Sequence, residues 1–377
     1  MRPFALTVAV LLALVIAVNG AATWDRARHE DRIRRAAAAF RPGKAMLAYR
    51  DTDERRFQKA RLAVIPPPRI VAFGSSRVME VSTAMVGAEP GAFYNAGMSG
   101  ASVEDFIVLW SVLRDTGKVP AVALFSLDNW SFNRSHPQVP WLVWADEVNR
   151  LVDSMDGRGP RRLPRAETLL YRWYQAKELV SFSVLKTSLR DLDRLRLGRT
   201  PRGAELVQSL ANELVDERQI AGRRALLADG SLVYESSFAA RPRAEVRADA
   251  LDFAVRTKAG LRDFAWDTER ARRLRVLWED LDAHGVSIHA YLPPYHPEVW
   301  DLIRRDPKLV QALHQTRAFL DTLAVRLGIP LLDLSDPASV ACTEDDFLDG
   351  NHARRGCLAR IVARALAARP SASLAGR

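Results

Sequence analysis

Past a Pro66-Pro67-Pro68 stop, short apolar runs recur at 69–74, 92–95, 119–127, 286–292 and 329–334. Four of the five are bounded by glycine, asparagine or proline, and 119–127 ends at Asp128. Continuous apolar runs of this length, without polar alternation, are the pattern of strands buried on both faces of a parallel sheet. Apolar positions at helical spacing occupy 103–114, 268–283, 307–327 and 353–368. Strand and helix alternate, which predicts an α/β domain: a five-stranded parallel sheet in a three-layer α/β/α arrangement, with helices on both faces.

Two stretches depart from this rhythm. Residues 131–267 are arginine-rich and mostly helical in pattern, and they read as a helical insertion. Its aromatic residues, Trp141, Trp144, Trp173 and Tyr174, together with the preceding Trp130, either fill a core of its own or line a lid. Residues 23–65 are charged and alanine-rich, with Pro42-Gly43 as the only turn signal, and read as a helical stalk. The main domain is then expected over 66–370.

At the N-terminus, Arg2 precedes an apolar run over 4–18 that ends in Gly20, Ala21 and Ala22. A positive flank, an apolar segment and small residues describe a signal peptide, and the same stretch is long enough for an uncleaved anchor. Residues 1–22 therefore predict export by either route, with the remainder outside the cytoplasm. Cys342 and Cys357, the only two cysteines, could pair in that setting or stay as two buried thiols. The net charge of +10 is spread along the chain. No zinc-finger spacing, RNP-type motif or helix-turn-helix signature accompanies it, so nucleic acid is not an expected partner. A solvated arginine-rich surface explains the charge, and an acidic polysaccharide would also suit it.

Four short segments carry candidate chemistry, each at the C-terminal end of an expected strand or before the last helix. Ser76, in Gly74-Ser75-Ser76-Arg77, directly follows the first strand, where an open α/β sheet exposes a nucleophile. Asp349-Gly350-Asn351-His352 precedes the last helix; an aspartate three residues ahead of a histidine can fix its tautomer. Asn95 to Gly100 offers glycine backbone for close approach to a ligand, and Asn129 adds an amide after the third strand. His296 and Tyr295, just past the fourth strand, are candidate substrate contacts, with His296 also a reserve base; His136 is a further competing base.

These segments together resemble the SGNH (GDSL-type) hydrolase superfamily over roughly residues 69–368. Gly74-Ser75-Ser76 resembles its first block, with Ser75 in place of the usual aspartate. Asn95 to Gly100 is similar to the second block, whose final glycine, here Gly100, gives an oxyanion N–H. Asn129 is the best match to the third-block asparagine, although Leu127 stands where a glycine is usual. Asp349 and His352 match the fifth block, with Gly356 fitting the glycine beyond it. The resemblance implies a flavodoxin-like fold, a Ser76–His352–Asp349 triad and no metal or organic cofactor. The Gly-Ser-Ser form with an N-terminal membrane segment is similar to the branch holding alginate O-acetylation and teichoic-acid D-alanyl transfer proteins. That branch implies a cell-envelope O-acyltransferase, anchored to the inner membrane with its catalytic domain periplasmic, acting on a polysaccharide beside a multispanning acyltransferase partner. A carbohydrate esterase with the same triad, or a non-catalytic glycan-binding scaffold, would show the same motifs.

Overall fold

The computed structural model describes residues 10–18, 20, 29–47, 54–136, 138–157 and 214–369, with isolated positions between 166 and 173. In chain order the elements are α1 (His29–Ala39), β1 (Lys44–Leu47), α2 (Glu54–Val64), β2 (Ile70–Phe73), β3 (Phe93–Asn95), α3 (Val103–Asp115), β4 (Val122–Ser126) and α4 (Ala145–Met155). There follow β5 (Leu214–Asp216), β6 (Ala225–Leu227), β7 (Leu232–Val233), α5 (Ser236–Ala239), α6 (Arg243–Asp252) and α7 (Thr268–Ala283). The chain ends with β8 (Ser287–Leu292), α8 (Pro297–Arg305), α9 (Pro307–Leu327), β9 (Leu331–Asp333) and α10 (Arg355–Ala367).

The five expected strands form one parallel sheet in the order β3-β2-β4-β8-β9. Successive residues of each strand feed opposite cores, as a period of two requires. Val71 and Phe73 of β2, with Ala123 and Phe125 of β4, face a core that includes Trp110 on α3 and Trp278 on α7. Ala72 and Leu124 face the other core, beneath Leu358, Ile361 and Val362 of α10. After β2 the chain crosses to β3 on one side and then to β4 on the other. The C-terminal end of β2 is therefore the topological switch point, where ligands of open α/β sheets bind.

The stalk expectation needs correcting. Residues 44–47 are a strand that pairs antiparallel with both β5 and β6, in a second sheet ordered β5-β1-β6-β7. Helix α2 lies on the domain rather than leading away from it: Phe57 and Leu62 are fully buried, Leu62 in the main core. Burial of that kind is worth about 2–3 kcal/mol for each side chain. Helix α1 in turn packs on α2 through Phe40 against Phe57 and the Arg61 guanidinium donating to the Ala37 carbonyl at 2.7 Å. The insertion differs from its helical pattern in the same way, since its described part includes β5, β6 and β7. Trp141 and Trp144 are buried in the main core, while Trp173 is exposed; Tyr174 lies outside the described residues.

Of the N-terminal apolar run, residues 10–18 are helical, with Val10, Leu11, Leu12, Leu14 and Ile16 exposed; residues 1–9 lie outside the described set. Among the described residues no helix is long and apolar enough to cross a membrane. Cys342 and Cys357 form a disulfide. It closes a loop of 15 residues that contains both Asp349 and His352. Closing a loop of that length removes unfolded-state entropy worth about 3 kcal/mol.

Candidate active site

Gly74 ends β2 and lets the chain turn sharply: a β-carbon there would sit 2.8 Å from Val78 Cγ1 and 2.9 Å from Ser126 Cβ. Ser76 follows, half-buried at the switch point. The structure brings it together with the two distant residues of the last loop. Ser76 Oγ lies 2.7 Å from His352 Nε2, and His352 Nδ1 lies 2.7 Å from Asp349 Oδ2. With the Nδ1 proton on the Asp349 side, Nε2 is left to accept the Ser76 hydroxyl proton, the arrangement that activates a serine.

The carboxylate is held as firmly as the ring. Asp349 Oδ1 accepts the peptide N–H groups of Asn351 and His352, each at 2.9 Å. Burial pushes the Asp349 carboxyl up, but the His352 charge and these hydrogen bonds outweigh it and bring its pKa down to about 2. The loop is closed at its base by Leu348 N–H donating to the His352 carbonyl at 2.8 Å, and His296 N–H donates to the Gly350 carbonyl at 3.1 Å. The side chains of His352 and Asp349 are about one-fifth exposed, so the relay meets solvent at one end.

Arg77, next to the serine, had no assigned role in the sequence and turns out to tie the site together from behind. Its buried guanidinium donates to Asp128 Oδ1 at 3.0 Å, to the Asn351 carbonyl at 3.0 Å and to the Pro294 carbonyl. It also stacks on the Tyr295 ring, 4.8 Å from the centroid. The loops after β2, β4 and β8 and the Asp349–His352 loop are thus joined through one side chain.

The packing places two expected contacts in the interior. Tyr295 and His296, which follow Pro293-Pro294 after β8, are both fully buried. Tyr295 lies under Arg77. His296 Nδ1 accepts Glu298 N–H at 3.1 Å and so caps α8, and burial holds its pKa below the ordinary value. His296 Nδ1 is thus occupied as a cap. His136 packs edge-on against Trp130 and has no contact with the triad. Asn129 is buried, with Nδ2 directed at Ser335 Oγ, 3.5 Å away.

Gly100 has φ +56°, a left-handed conformation that favours glycine, and sits exposed at the end of the loop after β3. Among the described residues neither Gly100 N–H nor Ser76 N–H meets an acceptor. Asn95 anchors the start of that loop. Its Nδ2 donates to the carbonyls of Val78 and Val81 at 2.8 Å, and its Oδ1 accepts Gly97 N–H at 2.8 Å.

The second sheet supplies one wall. Its β6–β7 turn docks on β3, with Asn95 N–H donating to the Asp229 carbonyl at 2.7 Å. A β-carbon at Gly230 would lie 2.1 Å from the Asn95 carbonyl oxygen, so only glycine permits this approach. Beyond β7, Tyr234 stands edge-on to His352, centroids 6.4 Å apart, and packs against Phe238. The Arg354 guanidinium donates to the Ala239 carbonyl and fastens this wall to the histidine loop. Sequence reading missed these residues, because their contacts with the site join segments more than 100 residues apart in the chain.

Glu80 is buried near the triad. Burial pushes its carboxyl up to about 7, against the lowering charges of Arg355, His352 and Arg354. The folded state therefore binds this proton more tightly than the unfolded chain. Its stabilisation is fully present below the ordinary glutamate value of 4.5 and is lost as pH rises through about 7. Glu80→Gln is expected to remove that loss. Thermal unfolding from about pH 5 to pH 8 should show the variant gaining on the native protein as pH rises, and parallel curves would contradict the assignment.

Among the described residues no group of three or more His, Cys, Asp or Glu side chains is arranged to hold a metal ion. Compared with known proteins, the chain matches no protein-family model and no curated protein.

Proposed function

We propose that this chain is a serine-dependent O-acyltransferase of the SGNH type, with a flavodoxin-like core, acting on a cell-envelope polysaccharide. The observation that carries the reading is the unbroken relay from Ser76 Oγ through His352 to Asp349 at the switch point of the sheet. In the first half-reaction Ser76 Oγ attacks the carbonyl carbon of an acyl ester while its proton passes to His352 Nε2. The oxyanion that forms is met by the N–H groups of Ser76 and Gly100. Collapse breaks the ester bond, and the leaving alkoxide takes the proton from His352. In the second half a sugar hydroxyl loses its proton to His352 and attacks acyl-Ser76, and the proton returns to Ser76 Oγ as that bond breaks.

The disulfide supports an oxidising compartment, and the exposed apolar helix at 10–18 supports attachment at a membrane. Both agree with a periplasmic catalytic domain anchored to the inner membrane, where a multispanning partner would deliver the acyl donor. The half-exposed Tyr234–Phe238 pair beside His352 suits the face of a sugar ring.

The test is to incubate the full-length protein with an aryl acetate, with and without an unacylated oligosaccharide. The expected result is an O-acylated sugar whose formation is abolished by Ser76→Ala. Acyl release indifferent to every acceptor would make the protein an esterase instead. Activity unchanged by Ser76→Ala would leave only an anchored scaffold.

A further inference from the structure

The loop that ends in Gly100 is held by side chains from a helix outside the five-stranded core. The carbonyls of Gly97, Ser99 and Gly100 all accept from α2. Gln58 Nε2 donates to Gly97 at 3.2 Å, and Arg55 Nη2 donates to Ser99 at 3.5 Å and to Gly100 at 3.3 Å. From the same helix, Glu54 Oε2 accepts the Ser99 N–H at 2.9 Å.

The holding side chains are themselves fixed. Arg55 forks onto buried Asp105, with Nε to Oδ1 at 2.8 Å and Nη2 to Oδ2 at 2.9 Å. Asp105 Oδ2 also accepts Ser102 N–H at 2.9 Å, closing the first turn of α3. Gln58 Oε1 accepts the Tyr94 hydroxyl at 2.5 Å.

The geometry points to α2 as a positioning element of the acyl site, in which Arg55, backed by Gln58, sets the plane of the Ser99–Gly100 peptide and so aims the Gly100 N–H. This rests on the reading of Gly100 as an oxyanion donor. The physical reason is the planarity of the peptide unit: the Ser99 carbonyl and the Gly100 N–H lie in one plane and point opposite ways. Holding the carbonyl toward α2 turns the N–H away from it. A glycine with φ +56° can reverse such a peptide at low cost, so the plane needs an external anchor. The anchor comes from the segment that also joins the N-terminal apolar helix to the domain.

Arg55→Lys in the full-length protein keeps the charge beside Asp105 and removes the fork that reaches both carbonyls. With an aryl acetate as substrate, kcat is expected to fall about tenfold or more with KM nearly unchanged, because a donor to the oxyanion acts only in the transition state. Amide hydrogen exchange at Ser99, whose N–H is held by Glu54 on the same helix, is expected to speed up about tenfold, with α3 and the main sheet unaffected. Unchanged kcat in a folded variant, with native hydrolysis dependent on Ser76, overturns the inference. If Ser76→Ala hydrolyses as well as the native protein, the functional reading fails, and exchange alone decides whether α2 holds the loop: faster exchange supports it and unchanged exchange overturns it. Should Arg55→Lys fail to fold, Gln58→Leu carries the same two measurements, with the same outcomes.

Discussion

His352→Ala is expected to lower kcat for aryl ester hydrolysis by roughly 10⁴-fold or more, since among the described residues His352 is the base hydrogen-bonded to Ser76 Oγ. His296 is the histidine that its position in the sequence would have offered as a substitute. It is fully buried, and its Nδ1 is committed to the first turn of α8. Asp349→Asn should cost nearly as much, on the order of 10⁴-fold, because an amide no longer favours the tautomer that leaves Nε2 free. Steady-state kinetics of both variants, with circular dichroism to establish folding, checks the pair. A residual rate within tenfold of native for either variant would remove the relay from the mechanism.

Arg77→Met is expected to cost both stability and activity. Arg77 and Asp128 are a buried pair with each side chain about 2% exposed, and removing one partner leaves the other charge uncompensated. Such a loss is about 3–5 kcal/mol, readable as a lower midpoint in urea unfolding. Activity should fall as well, because the Asn351 and Pro294 carbonyls lose the donor that joins their loops. The double variant Arg77→Met/Asp128→Leu separates the two effects. It removes the stranded carboxylate and should regain most of the stability, yet the loops stay untied and activity should remain low. Recovery of both together would mean that Arg77 acts on folding alone.

The core elements were legible in the sequence because burial on both faces leaves a continuous apolar run. Strands β2, β3, β4, β8 and β9 fall within their expected runs, and α7 and α9 have the expected bounds. The aspartate and histidine were legible through their spacing, which needs only one loop to bring them into contact. What failed to show was contact between segments far apart in the chain. Helix α2 reads as charged, Glu54-Arg55-Arg56-Phe57-Gln58-Lys59, yet Arg55 and Gln58 are buried because Asp105, Tyr94 and backbone carbonyls receive them. Strand β1 is four residues long, and its partners β5 and β6 follow about 170 residues later, so no local pattern announces it. Tyr295 and His296 occupy the expected edge of the sheet but are buried there, Tyr295 under the Arg77 guanidinium. Asn129 was read by analogy of position; it is buried, with Nδ2 directed at Ser335 Oγ.

The central claim is that Ser76 carries the acyl group between donor and acceptor. The most direct measurement is rapid acid quench of the full-length protein with an aryl acetate, followed by peptide mass spectrometry. The account predicts one acetyl group on the peptide containing Ser76, absent in Ser76→Ala and discharged by added oligosaccharide. No adduct on Ser76 in a protein that turns over the ester, or an adduct on another residue, would contradict it.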